Sequence, residues 1–77
     1  MALLRLVPFA KLVRVAETKG FQRIRQTGSH NVFRNAAGRI IAIPDHGAQV
    51  IVHPLLRKIL RDMGVSPAEY ERILKEI

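Results

Sequence analysis

The order of secondary-structure patterns along the chain predicts an α+β fold, in which a three-stranded antiparallel sheet carries helices on one of its faces. A helical apolar stripe comes first, three short strand patterns separated by glycine-containing turns follow, and a second helix and a short terminal helix complete the 77 residues. Because the turns are short, neighbouring strands should run antiparallel. The helices should then cover one face of the sheet and leave the other face free for a ligand.

The first helix is predicted over residues 8–19. Pro8 suits the first helical turn, where a missing N–H costs nothing, and Gly20 suits the left-handed conformation that ends many helices. The apolar stripe of this helix consists of Phe9, Leu12, Val13 and Ala16. Its charged residues lie mainly off that stripe, so the helix should pack with one face against the rest of the protein.

Three strands are predicted, over residues 21–26, 29–35 and 39–44. Turns at Gly28 and Gly38 separate them, and Pro44 can end a strand but cannot occupy its middle. Side chains alternate along a strand, so either Val32 or Phe33 must point away from the helices. We expect Phe9, Phe21 and Phe33 to lie in the core rather than to stack on nucleic-acid bases, but the sequence does not decide the side of Phe33, which on the open face could stack on a base.

A loop with an extended Val-Ile-Val stretch is expected over residues 45–53, before a second helix that begins at Pro54 and ends at Gly64. The apolar face of the second helix consists of Leu56, Ile59, Leu60 and Met63. A short last helix follows, with a capping box at its start formed by Ser66, Pro67 and Glu69. In such a box the serine hydroxyl accepts from the backbone N–H of the glutamate, and the glutamate carboxylate accepts from the backbone N–H of the serine.

Positive charge is concentrated in the first four fifths of the chain. Lysine and arginine number 13 against 6 aspartate and glutamate residues, for a formal net charge of +7. Residues 1–61 hold 11 basic and 2 acidic residues, whereas residues 62–77 hold 2 basic and 4 acidic residues. Such a lopsided charge favours a polyanionic partner such as nucleic acid, and the excess of arginine over lysine suits contacts to phosphates and bases.

Composition and hydropathy exclude several classes of protein. The chain has no cysteine, which excludes disulfides and thiolate metal sites. No apolar run approaches the roughly 18–20 residues of a membrane-spanning helix. Arg5, Pro8 and Lys11 interrupt the apolar N-terminal stretch, so we expect no secretory leader and a cytoplasmic location. Residues 1–77 are expected to form a single domain, monomeric when free.

A set of ordered motifs covers most of the chain. Residues 20–46 read GFQRIRQTGSHNVFRNAAGRIIAIPDH, and residues 56–60 read LRKIL. The motifs are Gly-Phe after the first helix, Arg-x-x-Gly-Ser-His at residues 25–30, an aromatic residue at Phe33, a turn with Gly38, and Pro-x-His at residues 44–46. In this order they resemble the HicA-type toxins of bacterial and archaeal toxin–antitoxin systems.

The resemblance implies a fold, an activity and a partner. HicA-like proteins have a fold similar to that of double-stranded-RNA-binding domains, cleave mRNA without a cofactor in stress responses, and are silenced by a HicB-like antitoxin. The histidine of Gly-Ser-His is the residue that the family uses, and it corresponds to His30 in this chain. The chain differs from many members at Asn31, where they carry a second histidine or another polar residue, and at residues 54–56, where Pro-Leu-Leu replaces Gly-Thr-Leu.

The chemistry of RNA cleavage also favours a histidine beside arginines. Without a metal ion, the 2′-hydroxyl must lose its proton to attack the adjacent phosphate, and histidine exchanges protons near neutral pH. Arginine and lysine can stabilise the charge that develops on the phosphate oxygens. The resemblance implies that His30 is catalytic, and this chemistry is consistent with it, with Arg25, Arg34 and Arg39 expected on the same small sheet. The residues expected to contact RNA are Arg23, Arg25, Ser29, Arg34, Arg39, His46, Arg57 and Lys58.

The same residues also allow less specific interpretations. His30 could be an ordinary surface histidine, His46 could cap a backbone carbonyl, and His53 could simply begin the second helix. A metal site built from these histidines and Asp45 is not expected, because their spacing matches no metal-binding motif. Ser29 and His30 should not form a nucleophile–base pair, since neighbours on a strand point to opposite faces.

Two other functions are compatible with the basic composition. A non-catalytic RNA-binding module of the same fold would need its arginines but not His30. A DNA-binding protein would use the second helix, whose basic residues are Arg57, Lys58 and Arg61. All three functions should weaken with added salt, so salt dependence alone does not separate them.

Overall fold

The computed structural model describes residues 4–77 and contains three helices and a three-stranded sheet in the order α-β-β-β-α-α. The elements are α1 (Phe9–Thr18), β1 (Gln22–Thr27), β2 (His30–Arg34), β3 (Ile40–Pro44), α2 (His53–Met63) and α3 (Pro67–Glu76). The predicted α+β class and order of elements are confirmed. The expectation about a leader falls in part on residues 1–3, which lie outside the described residues. Within residues 4–77, no helix is long and apolar enough to cross a membrane.

The three strands form one antiparallel sheet with β2 in the centre. Thr27 pairs with His30 across a two-residue loop, so β1 and β2 form a tight hairpin. Gly28 begins that loop with a φ of 60°, a conformation that glycine adopts without strain and that this kind of hairpin turn requires. The pairing of β1 with β2 shifts by one residue between Arg23 and Arg25, which marks a β-bulge at Ile24.

The helices cover one face of the sheet. Phe33, Ile41 and Ile43 point to this face and are at most 2% exposed. They share one core with buried residues of all three helices, including Leu12, Val15, Ala16, Leu56, Ile59, Leu60, Met63, Tyr70, Ile73 and Leu74. The expectation that Phe33 belongs to the core is confirmed. Because strand neighbours alternate, Val32 lies on the opposite face, which no helix covers.

The second helix begins and ends close to its predicted limits. It starts at His53, one residue before Pro54, so His53 does belong to the start of this helix. Gly64 ends it with a φ of 80°, the left-handed conformation expected of a helix C-cap. Its buried residues lie at helical spacing against β3, which places α2 on the covered side of the sheet.

The last helix is tied to the N-terminal part of the chain. The Ser66 hydroxyl accepts a hydrogen bond from the Glu69 N–H at 3.1 Å, which confirms the predicted N-cap. The second half of the predicted capping box is wrong, because the Glu69 carboxylate accepts from Lys19 Nζ at 2.7 Å instead. Tyr70, which is fully buried, donates its hydroxyl proton to the Arg5 carbonyl at 2.5 Å. These contacts hold α3 against the end of α1 and the segment before it.

The loop between β3 and α2 is also anchored to the N-terminal segment. Pro8 and Val50 form an isolated antiparallel bridge, and the Ile51 N–H donates to the Val7 carbonyl at 2.9 Å. The expected extended stretch is therefore present as a short bridge rather than as a strand. Val7 and Ile51 point inward and are buried, which fixes the far end of the loop that begins at Asp45.

Candidate active site

His30 is presented at one end of the sheet by the β1–β2 hairpin. It is the first residue of β2 and pairs with Thr27 on one side and Pro44 on the other. Its side chain is exposed on the uncovered face, two positions before Val32. Within residues 4–77 the imidazole forms no hydrogen bond, so its position depends on the backbone on either side of it.

The uncovered face of the sheet, called the open face from here on, is basic. Strand pairing places on it Gln22, Arg25, Thr27, His30, Val32, Arg34, Ile40, Ala42 and Pro44. None of these residues is acidic. Arg25 pairs with Val32 and is therefore a diagonal neighbour of His30, about 7–8 Å away between backbones. Arg34 lies four residues further along β2 from His30, at about 13 Å.

The bulge at Ile24 decides which arginine of β1 joins this face. Counting back from Arg25, strict alternation would place Arg23 on the open face as well. The extra residue instead pairs Arg23 with Phe33, which points to the helices, and pairs Arg25 with Val32, which does not. The bulge therefore separates the two arginines to opposite faces of the sheet.

The loop that carries His46 lies at the same end of the sheet as His30. The Asp45 N–H donates to the Ser29 carbonyl at 2.7 Å, which joins the loop to the hairpin turn. The Asp45 side chain accepts from the Gly47 N–H at 2.9 Å and so closes the loop itself. The exposed His46 side chain forms no hydrogen bond within the described part of the chain, so it does not act there as a cap on a carbonyl.

The remaining predicted contact residues are spread over the other side of the molecule. The expectation that Arg39 shares the sheet surface with His30 is wrong. Arg39 precedes β3, and its guanidinium donates to the Asp62 carbonyl of α2 at 2.9 Å. Lys58 forms an ion pair with the Asp62 carboxylate at 2.7 Å. Arg57 lines a pocket of about 430 Å³ together with Arg61, between α2 and the start of α3. The basic residues of α2 therefore do not extend the open face.

Apart from Asp45 in the loop after β3, the acidic residues lie on the three helices, which cover the other face of the sheet. Three of them form ion pairs on the helical side, namely Arg5–Glu71, Lys19–Glu69 and Lys58–Asp62. The Lys19 ammonium, through its hydrogen bond, lowers the pKa of Glu69 from its ordinary value. Within residues 4–77, Arg25 and Arg34 have no carboxylate partner, so their charge is available to an anion from outside. Among the same residues, no group of three histidine or acidic side chains is arranged to hold a metal ion.

Sequence reasoning noted Asn31 only as a departure from the family pattern and did not identify its burial or its contacts. Asn31 is fully buried, with its side chain on the covered face between Gln26 and Ile43. Its amide donates to the Ser29 carbonyl at 3.2 Å and accepts from Arg23 Nη1 at 3.1 Å. The sequence held one signal for it: Asn31 is two residues before Phe33 in a strand pattern, so a core position for Phe33 puts a polar side chain in the core as well.

Comparison with known proteins agrees with the resemblance noted in the sequence. A family described as "HicA toxin of bacterial toxin-antitoxin" matches residues 9–65, which is well over half of the chain. The match runs from α1 through the hairpin, the loop at Asp45 and α2. No curated protein matches the chain. The chain therefore belongs to the HicA toxin family of toxin–antitoxin systems.

Proposed function

We propose that this protein is a metal-independent endoribonuclease toxin that cleaves mRNA in the cytoplasm with His30 as its proton-transfer group. The observation that carries the proposal is the open face. On it an exposed histidine lies beside Arg25 and in line with Arg34, with no carboxylate on the face. Family membership supports a toxin, and the face supplies the residue types that cleavage of an RNA phosphodiester needs.

The reaction needs one proton acceptor and positive charge near the phosphate. His30 accepts the proton of the 2′-hydroxyl while the 2′-oxygen attacks phosphorus. The bond from phosphorus to the 5′-oxygen breaks, and that oxygen takes a proton from the imidazolium or from water. This route leaves a 2′,3′-cyclic phosphate and a 5′-hydroxyl. Arg25, the arginine on the open face that is nearest to His30, stabilises the charge on the phosphate oxygens. Arg34 binds another phosphate of the RNA further along the sheet.

Not all of the predicted contact residues belong to this proposal. Arg23 is directed to Asn31 on the covered face, and Arg39 and Lys58 are engaged at the end of α2. We therefore assign RNA contact to Arg25 and Arg34 first. Contacts by Ser29 and His46, which lie exposed around the hairpin turn, are proposed as secondary.

The decisive experiment measures cleavage of RNA in the presence of EDTA by the parent protein, His30→Ala and His53→Ala. His53→Ala removes a histidine from the start of α2, away from the open face, and is the matched control. We expect His30→Ala to lower the cleavage rate by about 10²–10⁴-fold. Affinity for 2′-O-methylated RNA, which lacks the nucleophilic hydroxyl, should stay within a factor of about three in the same variant.

Each alternative function gives a different result. A folded His30→Ala variant that cuts as fast as the parent would overturn the catalytic role. If no variant cuts but all bind RNA, the protein is an RNA-binding module. If binding is tight only for duplex DNA and is lost on changing Arg57 and Lys58, the second helix is the functional surface.

Family membership also implies a cognate antitoxin. We propose that a HicB-like, acidic antitoxin covers the open face and blocks access to His30. Besides its arginines, that face carries Ile40, which is 56% exposed, and the half-buried Val32. A mixture of apolar and arginine side chains is typical of protein interfaces. Purification from the native host, followed by mass spectrometry, should recover the toxin with such a partner, and recovery only in free or RNA-bound form would contradict this.

A further inference from the structure

A buried asparagine occupies a position in β2 that the fold would normally give to an apolar residue. Asn31 has no exposed surface, and its cross-strand partner Ile43 and its inward neighbour Phe33 are both apolar. An amide buried without hydrogen bonds would cost free energy, and Asn31 avoids this cost because both ends of its amide are bonded. An apolar residue at this position would pack in the core without needing any hydrogen bond. The presence of a hydrogen-bonded amide therefore needs an explanation.

The bonds of Asn31 converge on the backbone that carries His30. Its amide N–H donates to the Ser29 carbonyl at 3.2 Å, and the same carbonyl accepts from the Asp45 N–H at 2.7 Å. Arg23 holds the other end of the amide at 3.1 Å. Asn31 thus links β1, the hairpin turn and β2 directly, and the loop that carries His46 joins them through the shared Ser29 carbonyl.

We infer that Asn31 is a positioning residue for the active site, an inference that rests on the proposed function of His30. His30 lies between Ser29 and Asn31 in sequence and points to the opposite face. Because the imidazole has no hydrogen bond within residues 4–77, its position is set by the backbone of residues 29–31, which the Asn31 side chain holds from the covered face. The hydrogen bonds to the Ser29 carbonyl also set where the loop with His46 lies relative to the turn. A shift of about 1 Å in a catalytic group can lower the rate about a hundredfold.

Three substitutions test this inference in the full chain. Asn31→Leu has a similar size and removes both bonds. Arg23 is exposed to water and the Ser29 carbonyl keeps Asp45, so neither partner is left buried and unpaired. Asn31→Asp keeps an acceptor for Arg23 but loses the donor to Ser29. Leu74→Ala, in the core under α3, is a control that lowers stability without touching the turn.

The measurements separate positioning from mere loss of structure. For both Asn31 variants we expect kcat for RNA cleavage to fall about a hundredfold, with KM within about threefold and an unchanged shape of the pH–rate profile. The Asp45 amide should exchange its hydrogen faster in Asn31→Leu than in the parent. Leu74→Ala should keep the parent kcat below its unfolding temperature.

A kcat for Asn31→Leu equal to that of Leu74→Ala would overturn the inference. Failure of the proposed function gives a different pattern, because then either the parent protein cuts no RNA or His30→Ala cuts as fast as the parent. In that case the inference is tested by the hydrogen-exchange rate of the Asp45 amide alone. An Asp45 amide that exchanges at the parent rate in Asn31→Leu shows that Asn31 does not hold the turn, and the inference fails independently.

Discussion

Two arginines that are two residues apart in β1 should behave differently when each is changed to alanine. Alternation from the hairpin places Arg25 on the open face, and the bulge turns Arg23 to Asn31 on the covered face. Each phosphate that a protein neutralises on single-stranded nucleic acid contributes about −0.7 to the slope of log affinity against log salt. Losing one contact should therefore make the slope for Arg25→Ala shallower by about 0.7 and weaken binding roughly fivefold at about 0.1 M salt. Arg23→Ala should keep the parent slope and lose about 1 kcal/mol of folding free energy.

The assay is a salt titration of binding to 2′-O-methylated RNA by fluorescence anisotropy, with urea unfolding of each variant alongside. Arg72→Ala removes the same charge from the exposed side of α3 and controls for the general effect of net charge. Equal changes in slope for Arg23→Ala and Arg25→Ala would refute the division of the two residues between faces. A change for Arg72→Ala as large as that for Arg25→Ala would show that net charge, and not the open face, governs binding.

Three further predictions concern stability. Burial raises the pKa of Tyr70 to about 12, so the folded state favours the neutral phenol. This contribution to the free energy of unfolding should be complete below about pH 10 and should fall by up to about 3 kcal/mol as the pH rises toward 12. Urea unfolding at alkaline pH should therefore show a smaller decline in stability for Tyr70→Phe than for the parent. Lys19 lowers the pKa of Glu69, so their ion pair stabilises the fold at neutral pH, and this stabilisation is lost as the pH falls through the lowered pKa. The thermal unfolding temperature of Glu69→Gln should therefore fall less in acid than that of the parent. An identical acid dependence would contradict this. Gly64→Ala should cost about 1–2 kcal/mol in urea unfolding because of the positive φ alone, since the added methyl would meet the Arg39 guanidinium only at an ordinary 3.7 Å.

The candidate site could be predicted in part from the sequence. The hairpin was predictable because Gly28 lies between two strand patterns, and this placed His30 at the start of a strand. Alternation required Val32 and Phe33 to lie on opposite faces, but only the structure decided that Phe33 faces the core. The position of Arg39 was not predictable, because its contact with Asp62 joins residues that are 23 positions apart.

The sequence by itself determined the elements and their order, because helix periodicity, strand alternation, proline and glycine act over a few neighbouring residues. It also determined the excess of positive charge and the family motifs. Only the tertiary structure decided which side chains act together. The bulge at Ile24 removes Arg23 from the face that carries His30 and Arg25, and the bond from Asp45 to Ser29 brings the His46 loop to the same end. The physical reason is that register shifts and contacts across the sheet depend on how distant segments pack, which no local pattern encodes.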